Sequence, residues 1–243
     1  VNSALLFLVF QGDKLIVGRV LGMEALAVFA MGMTLTLTPT LVMSRSLSNL
    51  FLPRLSSLSR QNTVTQDTFK KRAHLIIEIY IATTMLFVFM TYILAPSVID
   101  FLLGARYARL SDIILLMALL QSARALKGAA AIVSMARGIT SNAMFSNLPR
   151  LFSLLVIWGL AERGMGLEAI LCAGLVGETA GLVVAYYLMH YRSKVSLHGV
   201  LPTIGGCALF FILALILSYL KATGTMESDY TSGVALALAG LMG

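Results

Sequence analysis

The sequence has few charged residues. Asp, Glu, Lys and Arg make up 12% of its 243 residues, whereas hydrophobic residues make up 58%. The mean hydropathy is accordingly high, at +0.89. A soluble domain of this length needs far more polar side chains to cover its surface. The composition therefore excludes an ordinary soluble protein and indicates a membrane protein.

Cysteine is also scarce, because the chain holds only Cys172 and Cys207. Each is isolated in an apolar stretch, with no Cys or His neighbour at the spacing of metal ligands. We therefore predict no disulfide framework, no metal site and no cofactor. We interpret both residues as small hydrophobic side chains packed between helices.

The excess of positive charge does not indicate a nucleic-acid partner. The formal charge is +7, from 18 Lys and Arg against 11 Asp and Glu. Many of the cations lie in short segments between apolar runs, which is the usual topogenic pattern of membrane proteins. No basic stretch is interleaved with aromatic residues, as a nucleic-acid-binding surface requires. We expect this chain to contact membrane lipids and no nucleic acid.

Eight apolar segments are candidates for membrane spans, since a helix needs about 20 apolar residues to cross the hydrocarbon core. A soluble core cannot bury so many helices that are apolar all round, and the alternating pattern of a β-barrel is mostly absent. We predict an all-α, multi-pass transmembrane bundle that forms one membrane domain over residues 1–243. The segments are 1–20, 25–46, 73–99, 112–136, 139–161, 165–190, 197–220 and a truncated last one that starts near Tyr230.

Residues 47–72 are predicted to form a basic cytoplasmic loop within this membrane domain. Loops on the same side of the bundle carry nine cations when Arg45 is included, and loops on the opposite side carry six. The side richer in Lys and Arg is usually the cytoplasmic side. The serines and threonine in the middle of this loop indicate part surface helix and part flexible linker.

Three cations within the predicted spans give the strongest functional signal. Arg124, Lys127 and Arg150 fall near mid-span, where insertion scales assign each a cost of roughly 2.5–3.5 kcal/mol. Such residues usually face a protein interior or a water-filled cavity. Polar residues share their helix faces, such as Gln121 with Arg124 and Asn142 with Arg150. We predict that all three cations bind the substrate in a polar lumen.

A second polar stripe follows the predicted span 25–46 and extends beyond it. Thr34 and Thr38 fall on or near one face with Arg45 and Asn49, which indicates that this face also lines the lumen. We predict substrate binding by Arg45 and Asn49. For Arg45 the alternative is that its side chain snorkels to the cytoplasmic interface.

Two acidic residues inside spans are candidates for ion coupling. Glu178 lies between Gly177 and Gly181, a GxxxG pair that lets another helix approach closely. Its carboxylate has two interpretations: it pairs with a mid-span cation, or it carries a coupling proton. Asp13 interrupts the first span and is the second candidate.

Short motifs in sequence order carry a resemblance to a known family. They begin with an Asp near a helix end, continue with Val-Gly and Leu-Gly pairs, and reach a helix that ends in a Leu-Pro-x-Leu-Ser turn. Ala-Pro, Leu-Leu-Gly and Ala-x-Gly pieces follow, and a Gly-Met-Gly-Leu-Glu-Ala piece looks like the family's Gly-x-x-Gly-x-Ala entry. These motifs lie at Asp13, 17–18, 21–22, 52–56, 95–96, 102–104, 136–138 and 164–169.

This order of motifs resembles the polysaccharide flippase branch of the multidrug/oligosaccharidyl-lipid/polysaccharide exporter superfamily, and it covers nearly the whole chain. One departure is that Ala27-Val28-Phe29 stands where the family has Gly-x-Tyr. Family members have twelve to fourteen helices in two pseudo-symmetric lobes, and this chain looks like the carboxyl-terminal lobe. We therefore expect a fragment of a longer protein whose amino-terminal lobe is a missing partner. The start at Val1 and the end at Gly243 inside an apolar run agree with that expectation.

The resemblance implies a flippase in the bacterial inner membrane, with no enzymatic activity, that serves O-antigen, lipopolysaccharide or other polysaccharide biosynthesis. Its substrate would be an undecaprenyl-pyrophosphate-linked oligosaccharide, moved by alternating access and driven by an ion gradient. One alternative is a membrane-embedded polymerase or ligase, although no nucleophile–base pair or carboxylate pair stands out. Others are a drug/cation antiporter, which a cationic lumen disfavours, and a peptidoglycan-precursor flippase of the same superfamily.

Overall fold

The chain folds into long helices that pack against one another in one bundle. The computed structural model describes residues 11–59 and 66–196, together with positions 205, 206, 209, 212, 213 and 216. All regular structure within these residues is helical, so the predicted all-α class is confirmed. The helices are α1 Gln11–Ser59, α2 Gln66–Leu103, α3 Ala108–Ala136, α4 Ser141–Phe145, α5 Leu148–Glu162 and α6 Leu167–Ser193.

Five stretches among the described residues are long and apolar enough to cross a membrane: α1, α2, α3, the pair α4–α5 and α6. The prediction of eight spans is therefore wrong for this part of the chain. The predicted spans 1–20 and 25–46 contribute to the single helical stretch α1. The spans predicted at 197–220 and from Tyr230 onward lie outside the described residues, apart from the six positions named above.

A sharp bend divides α1 into two parts. The first part ends in a π-helical turn, Val17–Leu21, and is followed by Gly22 with φ 88°; this backbone conformation is open mainly to glycine. A Cβ on Gly18 would lie 2.9 Å from Leu26 Cδ2, although residues eight apart in a straight helix are about 12 Å apart. Residues 11–21, called here the N-terminal arm, therefore fold back against the rest of α1.

The predicted basic loop is mostly helical. Residues 47–59 continue α1 and residues 66–72 begin α2, whereas residues 60–65 lie outside the described part. Long helices that extend past the apolar core are expected where charged side chains can reach the headgroup layer. The cytoplasmic side of this segment stays a prediction.

The central helix is α3, which packs against α1, α2 and α6. Its first half joins an apolar cluster that includes Phe29 and Met117, and its second half joins another that includes Tyr80 and Val133. Arg124 interrupts this apolar surface between the two clusters. It lies 16 residues after Ala108 and 12 before Ala136, or roughly 24 Å and 18 Å from the two helix ends. A charged layer at mid-depth therefore separates the two cores.

Candidate functional site: a buried charged cluster and its cavity

Five charged side chains from four helices meet at this layer. They are Asp13 of the N-terminal arm, Arg124 and Lys127 of α3, Arg150 of α5 and Glu178 of α6, and together they are called the charged cluster. None of the five side chains is more than 10% exposed. Three cations against two carboxylates leave a formal charge of +1 on the cluster.

Glu178 is at the centre of the charged cluster. Its Oε1 lies 2.6 Å from Arg124 Nε and 3.4 Å from Arg150 Nε, and its Oε2 lies 2.5 Å from Lys127 Nζ. Removing one partner from a buried ion pair is costly because the other charge remains uncompensated. The structure thus shows the paired arrangement, the first of the two interpretations of Glu178. A proton-carrying role stays a prediction.

Arg150 and Asp13 form a second ion pair within the charged cluster. Arg150 Nη2 donates to Asp13 Oδ2, and Arg150 Nη1 donates to Ser153 Oγ at 3.1 Å. Arg124 Nη2 lies 3.8 Å from the same Asp13 oxygen. Arg150 is placed at the start of α5, whose second residue is Pro149; proline suits the first turn of a helix because the N–H it lacks has no partner there.

A stripe of glycines on α6 lets the charged cluster form. A Cβ on Gly174 would lie 2.8 Å from Arg150 Nη1, and one on Gly177 would overlap the Ser153 side chain. A Cβ on Gly181 would lie 2.5 Å from the Ser146 carbonyl oxygen. The close approach predicted from the GxxxG pair is therefore confirmed. Gly174 was not included in that prediction, although it lies three residues before Gly177 and so on the same helix face.

A cavity of about 170 Å³ opens beside the cluster, between α3 and α4. Arg150 and Asp13 are not part of its wall, although Arg150 contacts Glu178, which is. The volume has room for several water molecules or a small anionic group. Lys127 Nζ, in the wall, also donates to Asn147 Oδ1 at 3.1 Å. The lining residues are Arg124, Lys127, Gly128, Ala131, Ala143, Ser146, Asn147 and Glu178.

The structure places some of the predicted site residues in the charged cluster and others outside it. The structure brings together Arg124, Lys127 and Arg150, as well as both ion-coupling candidates. Arg45 and Asn49 are exposed on α1, outside the charged cluster and its cavity. Thr34 and Thr38 are exposed on the same helix. Substrate binding by Arg45 and Asn49 therefore stays a prediction.

Asn147 is a cavity residue that the predicted site left out. It accepts the Lys127 hydrogen bond and donates through Nδ2 to the Ala143 carbonyl at 3.0 Å. The sequence could have identified Asn147 from its position three residues before Arg150, because residues three apart share a helix face. The break between α4 and α5 changes that geometry, so Asn147 points to Lys127 of α3.

Taken together, these features define the class: a multi-helix membrane protein with a buried, net-positive polar site in the middle of its bundle. Residues 1–112 match the family model described as "Polysaccharide biosynthesis protein". Of the charged cluster, only Asp13 lies within that range. Over 156 residues, or 63% of the chain, the sequence is 30% identical to the amylovoran biosynthesis protein AmsL of Erwinia amylovora. The match spans 38% of that relative's length. No solved structure matches the chain.

Proposed function

We propose that this chain is part of a bacterial inner-membrane flippase that moves an undecaprenyl-pyrophosphate-linked oligosaccharide by alternating access, in polysaccharide biosynthesis. The observation that carries the proposal is the placement of Arg124 and Lys127 in the wall of a cavity at mid-depth of the bundle. The similarity to AmsL and to the polysaccharide biosynthesis family supports the pathway in which the flippase acts.

The chemistry of the cavity suits a phosphate group. Arg grips two phosphate oxygens with its planar fork, and Lys supplies a compact point charge. Both attract an anion more strongly in a low-dielectric interior than in water. The two carboxylates stabilise the three cations while the site is empty, because unpaired charges at this depth would be costly.

The ion pairing of the two carboxylates in the charged cluster favours transport over catalysis. A general acid or base must exchange a proton with its substrate. Asp13 and Glu178 are both buried and both held in ion pairs with cations. That arrangement supports an electrostatic role and not a chemical one.

The test replaces each cation in turn in a strain that depends on this protein for surface polysaccharide. Arg124→Ala, Lys127→Ala and Arg150→Ala are each expected to reduce export severely and to cause lipid-linked glycan to accumulate inside the cell. Arg109→Ala is the matched control, because Arg109 is an exposed cation at the start of the same helix as Arg124. Surface polysaccharide is measured by immunoblot and the lipid-linked intermediate by mass spectrometry. Full export of surface polysaccharide by all three cluster variants would contradict the proposal.

A further inference from the structure

We infer that Glu178 is a built-in counter-anion, which occupies the phosphate-binding donors of the cavity and which an incoming phosphate group must displace. The inference rests on the proposed function. It adds that Glu178 sets the affinity of the cavity for the phosphate group. Glu178 is itself part of the cavity wall. Its two oxygens lie 2.6 Å from Arg124 Nε and 2.5 Å from Lys127 Nζ.

The carboxylate takes the positions that phosphate oxygens would need. Arg124 and Lys127 are the two cations in the cavity wall, and one carboxylate bridges them. A phosphate oxygen at hydrogen-bond distance from either donor would lie within a few ångströms of the Glu178 oxygens. Two negative charges at about 4 Å repel each other strongly at the dielectric of a protein interior. Binding therefore requires the phosphate to loosen at least one of the Glu178 ion pairs.

This competition gives the site an affinity that suits transport. A site in a conduction pathway must bind its substrate and also release it. Without Glu178, the two cations in the cavity wall would hold a diphosphate tightly and would also repel each other when it left. With Glu178, the donors regain a partner on release, so the empty state is stabilised. A ligand of higher charge density than a carboxylate, such as a diphosphate, is best able to take the donors.

The first test measures binding of radiolabelled inorganic pyrophosphate to the purified intact protein in detergent, by equilibrium dialysis. Glu178→Gln is expected to tighten binding by about tenfold or more, because a nearby negative charge is removed. Glu162→Gln is the matched control, since Glu162 is exposed and accepts from Trp158 Nε1 at 2.6 Å, outside the charged cluster. An affinity for Glu178→Gln that is equal to or weaker than that of the wild type overturns the inference.

A second variant separates the effect of displacing the Glu178 carboxylate from the effect of the net charge of the cluster. Glu178→Gln combined with Arg150→Met keeps the formal charge of the cluster at +1 and removes a cation that does not line the cavity. In this variant Asp13 loses Arg150 but keeps Arg124, whose Nη2 lies 3.8 Å from Asp13 Oδ2. The double variant is still expected to bind pyrophosphate more tightly than the wild type. Wild-type affinity in the double variant would mean that net charge alone governs binding, and would overturn the inference.

The outcomes also distinguish this inference from the proposed function. Export of lipid-linked glycan by the wild type, together with unchanged pyrophosphate affinity in Glu178→Gln, overturns the inference alone. Tighter binding in both variants, without any glycan export by the wild type, supports the inference and contradicts the proposed function. Absence of pyrophosphate binding in every form overturns the inference as well.

Discussion

Arg150 of α5 and Asp13 of the N-terminal arm form an ion pair between residues 137 positions apart, and neither side chain is more than 3% exposed. The pair ties the arm to the bundle at the depth of the cavity. Apolar contacts support the same attachment, since a Cβ on Gly12 would lie 2.9 Å from Leu154 Cδ1. The position of the arm therefore depends on a buried charge that also contacts Glu178 of the cavity wall.

Asp13→Asn is expected to destabilise the protein. The substitution leaves Arg150 buried with a neutral partner, and breaking a buried ion pair typically costs about 3–5 kcal/mol. Thermal unfolding in detergent, followed by loss of the monodisperse peak in gel filtration, measures the effect. Asp67→Asn is the control, because Asp67 is 88% exposed and lies 3.9 Å from Lys70; such surface pairs contribute little. Equal unfolding temperatures for the two variants would contradict a structural role for the buried pair.

Gly181→Ala is expected to disrupt the contact between α6 and Ser146, the residue that directly follows α4. The added Cβ would lie 2.5 Å from the Ser146 carbonyl oxygen, and a backbone atom cannot move aside as a side chain can. Overpacking of this kind costs about 1–3 kcal/mol. Gly159→Ala provides the comparison, because nothing lies within 4 Å of a Cβ there. Lower thermal stability of Gly181→Ala than of Gly159→Ala is expected, and the reverse order would refute the close approach.

Asn147→Asp is expected to weaken anion binding without unfolding the protein. The new carboxylate would stay beside Lys127 Nζ, which now donates to Asn147 Oδ1 at 3.1 Å. It would lower the formal charge of the site from +1 to zero and would add a second competitor for the same ammonium. Pyrophosphate dialysis and glycan export report the effect. Undiminished binding by a folded Asn147→Asp protein would show that the anion does not contact this wall.

Lys127→Ala is expected to reduce export more than Arg45→Ala does. Lys127 lies in the cavity wall, whereas Arg45 is exposed on α1 outside it. The two variants remove one positive charge each, so the comparison separates position from charge. Quantitative immunoblots of surface polysaccharide at matched protein levels give the answer. A greater loss with Arg45→Ala would favour the site predicted from the polar stripe of α1.

The charges at mid-span made much of this site predictable from the sequence. Burying Arg124, Lys127 or Arg150 in an apolar bundle requires a partner, so the sequence alone indicated that they face a polar interior. Glu178 also lies inside a predicted span, so the same need for a partner indicated that its carboxylate faces the polar interior. Composition and the length of the apolar runs were sufficient for the all-α class.

Other features depended on geometry that periodicity does not carry. The predicted spans 1–20 and 25–46 both contribute to α1, which bends at Gly22 instead of ending there. The π-helical turn before this bend has no simple sequence pattern. Arg45 and Arg124 both lie on polar stripes, but only the packing of α3 at the centre of the bundle distinguishes their positions. Asn147 meets Lys127 because the chain breaks between α4 and α5, which changes the helical spacing used to assign its face.

The most direct measurement of the central claim is the chemical accessibility of the cavity. In a protein whose Cys172 and Cys207 are replaced by Ser, Ala131→Cys places a thiol in the cavity wall, and Ala129→Cys places one at a fully buried position of the same helix. A water-soluble sulfonatoethyl methanethiosulfonate is expected to label Ala131→Cys and not Ala129→Cys, and pyrophosphate is expected to slow that labelling. An unreactive Ala131→Cys, or labelling that pyrophosphate does not slow, would contradict an aqueous anion site at the charged cluster.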